Sequence, residues 1–100
     1  MVGRRGRMHS APQVPSGGAN PDPTNCPGSA TAPAATAGTL CVYEGDQANT
    51  TGNKICRVSA PALCGTGTNG AADRFGATVN VFAAADGVYI STGTWAVTAP

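Results

Sequence analysis

Four cysteines constrain this 100-residue chain more than any other feature: Cys26, Cys41, Cys56 and Cys64. The number is even, and the intervals contain no metal-type pair such as C-x-x-C. All four sit in a small, polar body with strand-like patterning. This predicts two structural disulfides, which persist only in an oxidising compartment. Of the three connectivities, Cys26–Cys41 with Cys56–Cys64 pairs neighbours in sequence and pins a loop to a strand each time. The first bridge would close a loop worth about 3 kcal/mol in the chain-entropy model. Free buried thiols are the alternative. Zinc has little to hold it, because the lone histidine, His9, lies far from the cysteines.

A staple matters because the core is small. Hydrophobic residues make up 41%, but 18 of them are alanine, and there are five aromatics, the first at Tyr43. A chain of this length gets only a few kcal/mol of net stability from its core. Charged residues reach 11%, well below the roughly 25% of an ordinary soluble domain. The net charge of +1 gives no electrostatic case for nucleic acid or an anionic membrane. No apolar run approaches the roughly 20 residues of a membrane helix. Five arginines against one lysine, with abundant Ala, Gly, Pro and Thr, is the composition of a GC-rich bacterial genome.

The chain changes character near residue 38. Residues 1–37 hold six of the eight prolines and no aromatic. They predict a disordered tail over 1–20, which can bury almost nothing. Residues 21–37 read as an irregular loop tied down at Cys26, within a stapled β domain spanning 21–100. The cluster Arg4-Arg5-Gly6-Arg7 is not followed by the apolar stretch of an export signal. Cysteines that imply export, without a readable signal, predict a C-terminal piece of a longer exported protein.

From residue 38 the pattern is strand-like. In Thr39-Leu40-Cys41-Val42-Tyr43, Leu40 and Val42 share one face and Cys41 and Tyr43 the other. A polar loop is expected over 44–53, a short strand over 54–58, and a long connection over 59–74. The segment 75–98 reads as one long hairpin, Phe75–Ala84 and Val88–Thr98 around an Asp86-Gly87 turn. Gly93, mid-strand, predicts a bulge or a packed aromatic neighbour. No segment holds a 3.6-residue apolar period. The expected class is all-β: a small antiparallel sheet or partial sandwich ending in that hairpin. Such a sheet has open edges, which predict homo-oligomerisation.

Candidate chemistry is sparse. No serine lies in a nucleophile elbow, and His9 in the tail is the only imidazole base. Glu44, Asp46, Asp73 and Asp86 read as solvated loop charges rather than a catalytic pair. Glu44, Asp46, Asn49 and Asn53 could offer oxygens to calcium, but not at the spacing of a calcium loop. Asn49-Thr50-Thr51 is a formal glycosylation sequon, incidental in a bacterial chain. Tyr43, Tyr89 and Trp95 could form an aromatic surface for a glycan, although Trp95 at strand spacing from Val97 reads first as core. No cofactor, metal or catalytic residue is expected.

Four stretches carry a resemblance: Asn25-Cys26-Pro27-Gly28, Gly38–Glu44 (GTLCVYE), Arg74-Phe75-Gly76 and Gly93–Thr98 (GTWAVT). Through them residues 21–100 resemble the C-terminal unit of a group of uncharacterised, exported actinobacterial proteins. In that group the unit follows further strand-like sequence, at the end of a low-complexity or collagen-like stalk. Residues 1–12 do not fit it. The resemblance implies a surface or extracellular location and supports the Cys26–Cys41 bridge, while Cys56 and Cys64 look peculiar to this chain. It brings no active-site residue. A non-enzymatic structural or adhesion module is the leading expectation, a glycan- or small-ligand-binding module the second, and an enzyme fragment the last.

Overall fold

The computed structural model describes residues 9–51, 53–57 and 77–100. The described residues are all-β, with five strands and no helix: β1 (His9–Ser10), β2 (Thr39–Ala48), β3 (Lys54–Arg57), β4 (Ala77–Asn80) and β5 (Ile90–Val97). They form a three-stranded sheet in the order β1-β2-β5 and a two-stranded sheet β3-β4. Strand β1 runs parallel to β2, and β5 runs antiparallel to it.

Strand β2 organises the fold. Its first half alternates as the sequence predicts: Thr39, Cys41 and Tyr43 are buried, and Leu40 and Val42 only half-buried. Cys41 and Tyr43 join Ala11 and Cys26 in the core, with Val14, Ala30 and Ala35 packed against it. What covers this face is neither helix nor sheet but the irregular loop 25–36. The Cys26–Cys41 disulfide fastens it, with a Cα–Cα distance of 5.7 Å. The Tyr43 hydroxyl donates to Ala34 O and accepts from Gly28 N at 2.9 Å. Thr94 and Thr98 of the partner strand donate their hydroxyls to Ala30 O and Ala35 O at 2.7 and 2.8 Å. Gly28 is required in this loop, since a Cβ there would lie 2.4 Å from Ala32 O. Cys56 is also buried and disulfide-bonded. Its expected pairing with Cys64 involves a residue outside the described ones.

Three expectations are corrected. First, the tail expected over 1–20 is structured from His9 onward. Ala11 N donates to Leu40 O, Val14 N to Val42 O, and Glu44 N to Val14 O. Pro12 and Pro15 lack an N–H, which an outermost strand can do without. Residues 1–8 lie outside the described residues.

Second, the hairpin over 75–98 does not form. β4 pairs with β3, and β5 pairs with β2. A two-residue type I′ turn needs positive φ at both central residues. Here Gly87 has φ +118°, but Asp86 does not share it. The segment 82–88 is held instead by the far side of the sheet. Thr51 N donates to Phe82 O and Ala84 N to Asn49 O. The Asn49 side chain accepts from Ala85 N and donates to Ala85 O and Val88 O. Asn49 adopts φ +56° to do so, a conformation asparagine tolerates better than most residues. β2–β5 and β3–β4 are thus both antiparallel pairs, with an isolated antiparallel bridge between Thr50 and Ala83. The connection expected over 59–74, together with Val58 and Phe75, lies outside the described residues.

Third, the loop expected over 44–53 starts later, because β2 continues to Ala48. It does so through an irregularity between Glu44 and Gln47, opposite Thr92. Asp46 N donates to Thr92 Oγ1 at 2.8 Å, and Gln47 Nε2 donates to Thr92 O at 3.0 Å. This is the bulge that Gly93 forecasts. A Cβ on Gly93 would lie 2.4 Å from Tyr43 O, so only glycine lets the strands approach this closely.

Replacing Cys26 and Cys41 together by serine should lower stability by about 3 kcal/mol in urea denaturation. Gly93→Ala should cost about 2 kcal/mol, because the strand must shift to admit the methyl. Gly17→Ala, with nothing within 4 Å of its added Cβ, should stay within about 0.5 kcal/mol of the parent.

Candidate functional site

The three aromatics expected to share a surface do not. Tyr43 is 1% exposed, its ring in the core and its hydroxyl between Gly28 and Ala34. It is a structural residue, and the expectation that it contacts a ligand is corrected. Trp95 departs in the other direction: the core position expected of it is wrong, for it is 66% exposed. The register explains both. Trp95 pairs with Val42 and Val97 with Leu40, on the face that the loop does not cover. Thr94 and Ala96 pair with Tyr43 and Cys41, on the covered face. Tyr89 is half-exposed just before β5, beside Val88 and Ile90, which are also exposed.

Exposed apolar residues therefore run along β5, Trp95 and Val97 on the uncovered face and Ile90 by alternation on the other, with Val88 and Tyr89 just before the strand. Strand β5 is the outer strand of its sheet, so its other edge has no strand partner among the described residues. From Val88 to Thr98 it carries no charged residue.

On the β1 side of β2 lies the second feature, a polar groove of about 470 Å³. Gln13, Glu44, Gln47 and Asn53 line it, with residues 15–18 and 50–51. The Glu44 carboxylate accepts from Ser16 N at 3.1 Å and from Asn53 Nδ2 at 3.2 Å. Gln47 Oε1 accepts from Asn53 Nδ2 at 3.0 Å and from Thr50 Oγ1 at 3.1 Å. Asn53 Oδ1 in turn accepts from Phe82 N. Gln13 is 7% exposed, and its Oε1 is buried with no hydrogen-bond partner.

The sequence singles out Glu44 and Asn53, but for a different role. The four candidate calcium ligands do not converge: Asn49 is turned toward residues 85–88, and Asp46 is exposed at the bulge. Among the described residues no three His, Cys, Asp or Glu side chains group together. The sequon amide of Asn49 is committed to backbone hydrogen bonds. Gln13 escapes a sequence reading because its neighbours, Pro12 and Pro15, suggest an unstructured tail.

No family model, no curated protein and no solved structure matches this chain.

The two aromatics should behave oppositely in solution. Trp95 fluorescence should show the long-wavelength emission of a hydrated indole and be quenched freely by acrylamide in the folded state. Tyr43→Phe should leave that signal unchanged but cost about 1–3 kcal/mol, because it leaves Gly28 N and Ala34 O without their partner.

Proposed function

We propose that this chain is a non-enzymatic structural or adhesion module, belonging to an exported surface or fibre-like bacterial protein and joined to a second copy of itself through β5. The observation that carries this reading is the uncharged outer edge of β5 with its exposed apolar residues. Natural sheets blunt a free edge with lysines, prolines or bulges. The β1 side of this sheet has Pro12 and Pro15, whereas residues 88–98 have neither proline nor charge. Two β5 edges brought together antiparallel about a two-fold axis would pair their free N–H and C=O groups. They would also cover the exposed Ile90, Trp95 and Val97. The disulfide is compatible with an oxidising, extracellular setting. The likeness to the C-terminal unit of exported actinobacterial proteins supports a place at the end of a longer chain. A glycan-binding reading through aromatics keeps only Tyr89 and Trp95, since Tyr43 is buried.

Sedimentation velocity tests the proposal. The parent protein should sediment as a dimer or larger species at micromolar concentration. A Trp95→Lys, Val97→Lys double variant should be monomeric with an unchanged circular dichroism spectrum. A strictly monomeric parent would overturn association through β5.

A further inference from the structure

The motif Asp86-Gly87 forms no hairpin and takes no part in the association through β5. We propose that it is a site of spontaneous covalent modification, where the backbone rearranges to isoaspartate. Three observations carry this.

The first is access to the reaction. Asp86 and Gly87 are both exposed. Among the described residues, neither the Asp86 carboxyl nor Gly87 N has a hydrogen-bond partner. The space around Gly87 is open, since a Cβ there would meet nothing within 4 Å. Its φ of +118° is one that glycine adopts without steric cost. The reaction needs no co-reactant. Gly87 N attacks Asp86 Cγ and a C–N bond forms. The carboxyl hydroxyl leaves with the amide proton as water, closing a five-membered imide. Hydrolysis returns that water at either carbonyl. Opening at the original backbone carbonyl leaves the chain running through Asp86 Cβ and Cγ, which is isoaspartate.

The second is selectivity. Among the described aspartates, Asp22, Asp46 and Asp86, only Asp86 meets these conditions. Asp22 precedes Pro23, which has no N–H to give up. Asp46 lies within β2, where its own N donates to Thr92 Oγ1. The residue after it, Gln47, is paired with Ser91.

The third is consequence. The Asn49 side chain grips both sides of the motif. It accepts from Ala85 N at 3.0 Å and donates to Ala85 O at 3.0 Å and to Val88 O at 3.2 Å. The rearranged main chain is one carbon longer between those anchors, so the three bonds cannot all persist. Ile90 pairs with Ala48, the neighbour of Asn49, and the start of β5 loosens with the grip.

The test is ageing of the intact chain in neutral buffer at body temperature over several weeks. Trypsin cleaves after Arg74, so residues 75–100 carry Asp86 as their sole aspartate, while Asp22 and Asp46 leave in residues 8–54. Isoaspartate from Asp86 changes no mass and is read by chromatographic splitting and electron-transfer fragmentation. Isoaspartate from an asparagine, as at Asn69-Gly70, is told apart by its added mass. It should form at Asp86 at least about tenfold faster than at Asp46, and within about tenfold of its rate in a free peptide of residues 83–90. The side-chain NH₂ signals of Asn49 should split into two sets as the protein ages. Asp86→Glu, whose ring would need six members, should fold like the parent and give no new species. The proposal is overturned if Asp86 stays unmodified or reacts no faster than Asp46. A rate more than about tenfold below that of the peptide would also overturn it, because the Asn49 grip would then keep Gly87 N from the carboxyl. The same new species in Asp86→Glu, or unchanged Asn49 signals in the modified protein, would overturn it as well. None of these readouts depends on whether β5 self-associates.

Discussion

The Cys26–Cys41 disulfide is the constraint on which the rest of the structure depends. It holds an irregular loop where a second sheet or a helix would ordinarily cover the core face. Residues 25–36 contain two prolines, one glycine and four alanines, too little apolar surface to order themselves by burial. Each residue fixed costs about 1–2 kcal/mol in backbone entropy. The disulfide removes much of that cost in advance by shortening the unfolded chain. The rest falls to hydrogen bonds, some within the loop, such as Thr36 N to Asn25 O, and some from the sheet, where Tyr43, Thr94 and Thr98 each reach a loop backbone group. These bonds give partners to loop backbone groups that burial would otherwise leave unpaired.

That arrangement dictates the side chains on the two faces of the sheet. A loop drawn down by a disulfide lies close to the strands, so the positions beneath it must be small or hydrogen-bonding. Strand β5 presents Thr94 and Ala96 there. Its large residues, Trp95 and Val97, fall on the opposite face by the period-two alternation of a strand. The usual rule, large apolar residues inward, is inverted on β5 because the stapled loop already occupies the inside.

This inversion is also why the sequence was only partly readable. The alternation over 39–43, the loop tied at Cys26, the Cys26–Cys41 bridge and the irregularity near Gly93 all follow from local chemistry, and each is present. Alternation says that Trp95 and Thr94 lie on different faces, but not which face is covered. The hairpin expected at Asp86-Gly87 fails for a related reason. Turn propensity is local, whereas the segment is held by Asn49 and Asn53, more than thirty residues earlier for Asn49 and Ala85. The proline-rich start misleads similarly. Prolines exclude a central strand, yet they suit an outermost one, and the distinction depends on β2, which lies far along the chain. Gln13 and its groove were invisible for that reason.

The position of β2 between β1 and β5 separates the two unassigned features of the molecule. On one side, prolines close the edge and polar side chains converge in a groove. On the other, the edge has no strand partner among the described residues and is uncharged and apolar. An apolar surface and a row of amides make opposite demands on solvent, since water is lost readily from the first and held by hydrogen bonds at the second. Placing them on opposite flanks of one strand lets a domain with so small a core carry both. The stapled loop underlies this division, because it covers the core face of the sheet and leaves Trp95 and Val97 exposed on the opposite one.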